Sequence, residues 1–206
     1  MKIAVIGASG RTGTAFCSAA RDAGHQVIAV VRDPSRLAAP ADEIRTADAT
    51  APAQLAAAID GSDAVAWCVG PGRETPADIM QVSATATVEA MDAAKVARLV
   101  LITASGPYTV GDPWLLRRVL KPILWRFFGM VWRDMQATEL VVRASGLDWT
   151  IMRPPQLRDV PARGYCSARD RNAPGLTIGR ADLAQAMVDV LADDSTIGRA
   201  VSVASR

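Results

Sequence analysis

The chain opens with the stretch that decides its fold class, MKIAVIGASGRTG at residues 1–13. Residues 1–7 form a short apolar run that ends in glycine, which is typical of a buried strand. Residues 11–23 follow with helix-forming alanines and a glycine stop at Gly24. The continuous apolar run QVIAVV at residues 26–31 predicts a second strand that is covered on both faces. The N-terminus therefore reads as a βαβ unit.

The same alternation of strand and helix continues along the chain. Further strands are predicted at 44–47, 63–69, 98–103, 148–152 and 199–203, and further helices at 52–59, 78–94, 135–144 and 180–192. Residues 104–133 interrupt the rhythm, and residues 159–174 are expected to be irregular. Short links between alternating strands and helices favour a parallel sheet with right-handed crossovers. We expect an α/β, Rossmann-type doubly wound, mainly parallel sheet with helices on both faces, formed by residues 1–206 as a single domain.

The amino-acid composition indicates which partners, compartment and metal sites to expect. Lys and Arg total 23 against 21 acidic residues, so the net charge of +2 gives no reason to expect nucleic acid or a membrane as a partner. The three cysteines are far apart and form no CxxC pair, which suits a reducing compartment. Because no secretory signal is visible, we expect a cytoplasmic protein. One histidine and no Cys/His cluster predict no metal site. The sequence does not indicate an oligomeric state.

The glycine turn GASGRTG lies between the first strand and the first helix. A phosphate-binding turn needs glycines because backbone N–H groups must approach a pyrophosphate without an intervening Cβ, and the helix N-terminus adds positive charge. The alternative interpretation is a tight strand-to-helix turn that binds nothing. The βαβ context favours nucleotide binding. The residues predicted to contact the dinucleotide here are Gly7, Ser9, Gly10, Arg11, Thr12 and Gly13.

The end of the second strand bears on the choice of cofactor. An acidic residue there binds the ribose hydroxyls of NAD, whereas NADP requires positive charge. This strand ends Val31-Arg32-Asp33, and Arg11 and Arg36 could add donors to a 2′-phosphate. Alternatively, the arginines are solvated, and a shift of the strand end by one residue would place Asp33 at the ribose. We predict NADP(H) as the cofactor.

Five motifs, the glycine turn among them, carry a resemblance to a known family. They are GASGRTG (7–13), VVRDPSRL (30–37), DAVAWCVG (63–70), VVRASGLDWTIMRPP (141–155) and GRADLA (179–184). With these the chain resembles the atypical short-chain dehydrogenases/reductases, in particular the NAD(P)H-binding group with its NmrA-like and biliverdin reductase B-like members. The resemblance implies that Asp48 lies near the adenine, Gly70 and Thr103 lie along the nucleotide, and Pro154-Pro155 lies beside the nicotinamide.

The acid of ordinary short-chain reductases is missing from this sequence. Those enzymes use a serine and a Tyr-x-x-x-Lys pair, in which the tyrosine protonates the substrate oxygen. Here Tyr108 is followed four residues later by Asp112, and Tyr165 by Arg169. The family's serine falls on Ala104, with Ser105 one place later. Ser105 is thus the one catalytic candidate, and its alternative role is that of a strand-end hydroxyl that bonds local backbone.

Hydride transfer to a conjugated ring system can take its proton from solvent while the protein holds two rings in contact. We therefore expect an NADPH-dependent oxidoreductase that reduces a small conjugated or aromatic acceptor of the flavin, quinone, tetrapyrrole or enone type. The missing pair is equally consistent with a non-catalytic NADP(H)-binding regulator or redox sensor of the NmrA-like kind. The sequence does not separate these two hypotheses.

The interval WLLRRVLKPILWRFFGMVW at 114–132 combines aromatic and basic residues after the fifth strand, at the sheet edge where ligands bind. Four basic residues and Pro122 exclude a transmembrane helix. Three interpretations of the segment remain open. It forms a packed helix with solvated arginines, or a flexible lid over a flat aromatic or anionic substrate, or an element that binds a membrane surface or a partner. We treat residues 107–133 as a helical, lid-like insertion.

Overall fold

The computed structural model describes residues 1–72 and 75–206. Its strands are β1 (Lys2–Ile6), β2 (Gln26–Val31), β3 (Glu43–Thr46), β4 (Ala64–Trp67), β5 (Arg98–Ile102), β6 (Asp148–Arg153), β7 (Gln156–Arg158), β8 (Tyr165–Arg169), β9 (Thr177–Gly179) and β10 (Arg199–Ser205). Its α-helices are α1 (Arg11–Asp22), α2 (Pro52–Ile59), α3 (Ile79–Ala94), α4 (Lys121–Ala144) and α5 (Arg180–Leu191). Short 3₁₀ turns lie at Pro34–Arg36 and Asp194–Thr196, and a π-helical turn at Leu116–Leu120 precedes α4.

The main sheet has eight strands in the order β3-β2-β1-β4-β5-β6-β10-β8. Every neighbouring pair is parallel except β10 and β8, which are antiparallel. The chain moves outward from β1 to β3 and then returns to the other side of β1 with β4. Ligands of open α/β sheets bind at the carboxyl ends of the strands at such a reversal. The Rossmann-type, doubly wound prediction is confirmed.

Apolar side chains fill a layer on each face of this sheet. On one face α1 and α5 pack with residues such as Phe16 and Met187 against the strands. On the other face α2, α3 and α4 contribute residues such as Leu55, Met91 and Val142. Strands covered on both faces lack the alternation of polar and apolar residues, which explains the continuous apolar runs of the sequence.

The helix predicted at 135–144 is present, but it begins well before residue 135. Residues Lys121–Ala144 form one continuous helix, α4. Pro122 lies in the first turn of that helix, where the missing N–H would have had no intrahelical partner and the fixed φ suits the helix. The predicted helix is therefore the C-terminal part of α4.

The expectation that residues 159–174 are irregular was wrong in part. Tyr165–Arg169 forms β8, which pairs antiparallel with β10 from Val201 to Ser205. β8 lies at the edge of the sheet and only some of its side chains are partly buried, so its sequence YCSAR carries little apolar signal. Pairing with β10, rather than local preference, forms this strand.

Candidate cofactor-binding site

A cavity of about 250 Å³ opens at the carboxyl ends of β1, β2 and β4. Its lining includes six of the residues predicted to bind the cofactor: Gly7, Ser9, Gly10, Arg32, Asp48 and Gly70. The cavity lies at the reversal of the strand order, where this fold places its ligands. A larger concavity of about 990 Å³ lies between α1, β8 and α5, and its lining includes none of the predicted site residues.

The backbone packs so closely at Gly7 and Gly13 that neither position has room for a side chain. Gly7 has a φ of +82°, and a Cβ at this position would lie 3.0 Å from the carbonyl group of Cys68. A Cβ on Gly13 would overlap the carbonyl oxygen of Gly7. The turn is held from within, because the Gly10 amide donates to the Gly7 carbonyl at 3.0 Å and the Thr14 hydroxyl donates to the Ala8 carbonyl at 3.2 Å. Glycines at 7 and 13 are thus a steric requirement.

The N-terminus of α1 offers backbone donors beside this turn. Gly10 is the N-cap residue and provides no side-chain cap, and the first i→i−4 bond of the helix runs from the Thr14 amide to the Gly10 carbonyl at 2.8 Å. The amides of Arg11, Thr12 and Gly13 precede that bond, so they have no partner within the helix. Such amides, together with the helix dipole, suit an anionic phosphate group. The turn therefore fits the pyrophosphate of a dinucleotide.

Arg32 and Asp33 occupy different positions although they are adjacent. β2 ends at Val31, and Arg32 lines the cavity. The Asp33 carboxylate accepts hydrogen bonds from the Ser35 amide at 3.0 Å and the Ser35 hydroxyl at 2.7 Å, which caps the turn Pro34–Arg36. These bonds from Ser35 lower the pKa of Asp33. The acidic side chain is committed to its own loop, and the residue at the cavity is basic.

Asp48 supplies a fixed carboxylate on the same side of the cavity. Its Oδ1 accepts hydrogen bonds from the Thr50 amide at 2.8 Å and from the Thr50 hydroxyl at 2.7 Å. These bonds lower the pKa of Asp48, and the positive charge of Arg32 adds a smaller effect. The half-buried group is therefore ionised at neutral pH and can accept hydrogen bonds from N–H or O–H donors of a ligand.

Arg11 and Arg36 lie outside the cavity lining. The Arg11 guanidinium pairs with Asp159 at 3.0 Å, and the same carboxylate pairs with Arg180 at 2.5 Å. Arg11 therefore points toward the loop after β7, and the structure does not bring it together with Arg32. Arg36 is exposed in the turn that Asp33 caps. Arg32 is the predicted arginine that the cavity includes.

Ser105 and Pro154 meet at the carboxyl ends of β5 and β6, where the Ser105 amide donates to the Pro154 carbonyl at 2.9 Å. Both lie outside the cavity lining, at the next strands along the sheet edge. Thr103 is placed differently from its predicted role, because it is buried and its hydroxyl donates to the Glu139 carboxylate at 2.8 Å. Its hydroxyl therefore faces α4 instead of the cavity.

A buried charged cluster near Ser105 escaped the sequence analysis. Glu139 on α4 pairs with Arg153 at the end of β6, with 2.9 Å between Oε1 and Nε. The Arg153 guanidinium also stacks on the Tyr108 ring, 3.3 Å from its centroid. Burial and, to a lesser degree, the negative charge of Glu139 raise the pKa of Tyr108. The sequence offered one signal for this cluster: Glu139 and Arg153 each interrupt an otherwise mostly apolar run, ATELVV and DWTIMRPP respectively.

The loop between β5 and α4 is fastened at its base by a second buried ion pair. Lys121 Nζ lies 2.5 Å from Asp112 Oδ2 and donates to the carbonyl of Ser105 at 3.2 Å. The Asn172 side chain donates to the other Asp112 oxygen at 2.8 Å. The lysine nearest to Tyr108 is thus occupied by a carboxylate and by backbone carbonyls, including that of Tyr108 itself.

Residues 7–194 match the model of a family described as NAD(P)H-binding. The chain belongs to this NAD(P)H-binding family. The match begins at the first glycine of the turn and spans every residue predicted to contact the cofactor. The expected membership of an NAD(P)H-binding family is therefore confirmed, and so is the cofactor type at the level of NAD(P)H.

Relatives of this NAD(P)H-binding chain carry different names. An uncharacterized sugar epimerase, YhfK of Bacillus subtilis (strain 168), is 29% identical over 209 residues, which cover 97% of this chain and 92% of the relative. The solved structure of the oxidoreductase ylbE from Lactococcus lactis has a TM-score of 0.82 at 19% identity and covers 100% of this chain and 91% of its own. A short-chain dehydrogenase/reductase from Veillonella parvula DSM 2008, in complex with NADP, has a TM-score of 0.80 at 16% identity, with 99% and 94% covered. These two structural likenesses establish the fold.

No helix in residues 1–72 and 75–206 is both long and apolar enough to cross a membrane.

Proposed function

We propose that this NAD(P)H-binding protein is an NADPH-dependent oxidoreductase that reduces a small conjugated or aromatic acceptor of the flavin, quinone, tetrapyrrole or enone type. The observation that carries the choice of NADPH is the position of Arg32 at the cavity, while Asp33 caps its own turn. A guanidinium suits the 2′-phosphate of NADPH through paired charged hydrogen bonds, and a carboxylate in its place would repel that phosphate.

In this proposal the cofactor lies along the carboxyl ends of the strands that border the cavity. The backbone amides of the glycine turn, including those of Thr12 and Gly13, bind the pyrophosphate. Arg32 binds the 2′-phosphate. Asp48 accepts hydrogen bonds on the adenosine side, and Gly70 leaves room along the nucleotide. NADPH, when bound, supplies a hydride. In this proposal Ser105 and Pro154 form the wall against which the acceptor is positioned.

The acceptor class follows from the lack of an activated acid among the described residues of this wall. Tyr108 is half-buried, and partial burial together with the nearby Glu139 carboxylate raises the pKa of its hydroxyl, while Lys121 is paired with Asp112. A general acid works best with a pKa near the operating pH. We therefore assign the proton to solvent and give the Ser105 hydroxyl the role of orienting the acceptor, which suits conjugated ring systems better than simple ketones.

The test is to incubate the purified protein with NADPH and a panel of flavins, quinones, tetrapyrroles and enones and to follow the loss of NADPH absorbance. Oxidation above background by one acceptor class, with a lower kcat/KM in Ser105→Ala, supports the proposal. Tight NADPH binding with no oxidation by any acceptor would favour the non-catalytic regulator instead. Conversion of a sugar substrate without net NADPH oxidation would point to an epimerase, because epimerisation involves no net redox change.

A further inference from the structure

The outer face of the segment before and within α4 carries large apolar side chains that nothing in the described part of the chain covers. We call the exposed side chains of residues 114–133 the α4 surface. Trp114 is 71% exposed, Phe127 is 74% exposed and Met130 is 66% exposed. The remaining large apolar members of the α4 surface are Leu115, Val119, Leu120, Ile123 and Phe128. A concentration of exposed large apolar side chains in one segment is typical of an interaction site.

Two tryptophans of the same helix, Trp125 and Trp132, lie on its inner face and pack there. Trp132 is buried against Gly106, so closely that a Cβ on this glycine would overlap the indole ring. Trp125 meets Trp132 edge-on, with 5.1 Å between ring centroids. Ile123, Phe127 and Met130 recur at spacings of four and three residues and so share a separate, outward face. The helix is therefore anchored on one side and apolar on the other.

The charges on the α4 surface are all of one sign. Residues 114–133 contain five basic residues and no acidic residue. Lys121 is buried with Asp112, but Arg117, Arg118, Arg126 and Arg133 are exposed. Within residues 1–72 and 75–206, none of these four arginines forms an ion pair. An occupant of the α4 surface must therefore offer both apolar contact and negative charge.

We propose that the α4 surface docks on an anionic lipid bilayer. Aromatic and aliphatic side chains on a basic helix are the features of helices that lie in the membrane interface, with acyl chains meeting the apolar side chains and lipid phosphates meeting the arginines. A second copy of the chain suits the surface less well, because a two-fold contact between two α4 surfaces would offer the arginines no acidic partner. Docking requires neither cofactor nor acceptor, so it stands independently of the proposed function.

The experiment is co-sedimentation of the unmutated protein with vesicles of phosphatidylcholine alone and of an equal mixture of phosphatidylcholine and phosphatidylglycerol. Binding is expected to the mixed vesicles, and high salt should weaken it because ions screen the arginines. Trp114 is a built-in reporter, since its exposed indole should shift its emission to the blue on docking. Trp114→Phe should remove most of that shift.

Matched variants test whether binding to vesicles depends on the α4 surface or is non-specific. Arg118→Gln should weaken binding to the mixed vesicles about fivefold, whereas Arg171→Gln, at an exposed arginine on the loop after β8, should not. Phe127→Ser should weaken binding, whereas Leu140→Ser, which is 69% exposed on the same helix outside the α4 surface, should not. All four positions are exposed, so an unchanged midpoint of urea unfolding serves as the check that each variant is folded.

Three outcomes would overturn the proposal. One is that the protein stays in the supernatant with both kinds of vesicle, and another is that it binds neutral and anionic vesicles equally. The third is that sedimentation velocity without lipid finds a dimer that Phe127→Ser dissociates, which would make a second copy the occupant. None of these outcomes bears on NADPH oxidation, so the proposed function would remain to be judged by its own assay.

Discussion

Replacement of Arg32 by alanine tests the site most directly. Arg32 is the predicted arginine that lines the cavity, and its carboxylate neighbour Asp33 is held by Ser35. If Arg32 grips the 2′-phosphate, Arg32→Ala should weaken NADPH binding and leave NADH binding unchanged, because NADH lacks that phosphate. The unmutated protein should accordingly bind NADPH at least about ten times more tightly than NADH.

The magnitude follows from one charged contact at an exposed position. A hydrogen bond to a charged group contributes about 1.5–3 kcal/mol, which corresponds to a change in Kd of about 10- to 150-fold. Arg32 is exposed, so solvent and salt screen the interaction and place the effect near the lower limit. We expect Arg32→Ala to weaken NADPH binding about tenfold at moderate ionic strength, with a smaller difference at high salt.

Titration calorimetry or quenching of protein fluorescence by each cofactor measures the two dissociation constants. Arg171→Ala removes an exposed arginine outside the cavity lining and should change neither constant. Asp33→Asn keeps an acceptor for Ser35 and should also leave NADH binding unchanged. Equal dissociation constants for NADPH and NADH in the unmutated protein would refute the reasoning, as would an Arg32→Ala variant that loses both cofactors equally.

Three further predictions concern the turn and the buried cluster. Gly13→Ala should lower both the affinity for NADPH and the free energy of unfolding, because the added Cβ would overlap the backbone of the turn. Gly146→Ala is the control and should lower neither, because a Cβ at Gly146 would have no atom within 4 Å. Equal effects of the two substitutions would contradict this prediction. Glu139→Gln should lower the free energy of unfolding, measured in urea, by about 3–5 kcal/mol, because the substitution leaves the buried Arg153 guanidinium without a charged partner. Glu43→Gln removes an exposed ion pair and is the control. A loss at Glu139 no larger than the loss at Glu43 would argue against this prediction. The pKa of Tyr108 is raised by burial and by the nearby carboxylate, so its contribution to stability is fully present below the unfolded tyrosine pKa of about 10 and is lost as pH rises toward the folded pKa. Tyr108→Phe should therefore lose less stability than the unmutated protein between pH of about 9 and 11, and parallel pH profiles would exclude that assignment.

Local sequence determined the first half of the fold. The observed bounds of β2 (Gln26–Val31) and α2 (Pro52–Ile59) coincide with those predicted from apolar runs and helix signals. The glycine turn was recognisable for the same reason, since strand, close turn and helix follow one another within a few residues. Where neighbours in sequence are also neighbours in space, residue preferences and hydrogen bonding act in the same direction.

Contacts distant in sequence decided other parts of the fold. β8 forms because β10 pairs with it. The start of α4 is a local matter, because Pro122 is compatible with the first turn of a helix.

The pairing of Glu139 with Arg153 and the placing of Thr103 against that carboxylate join three separate elements, so no local pattern predicts them. The sequence identified both Arg32 and Asp33 at the end of β2, and a shift by one residue would have exchanged their roles. Only the folded loop, in which Ser35 holds the Asp33 carboxylate, determines which side chain lines the cavity, because a strand end is set by pairing with its neighbours and by the cap that follows it.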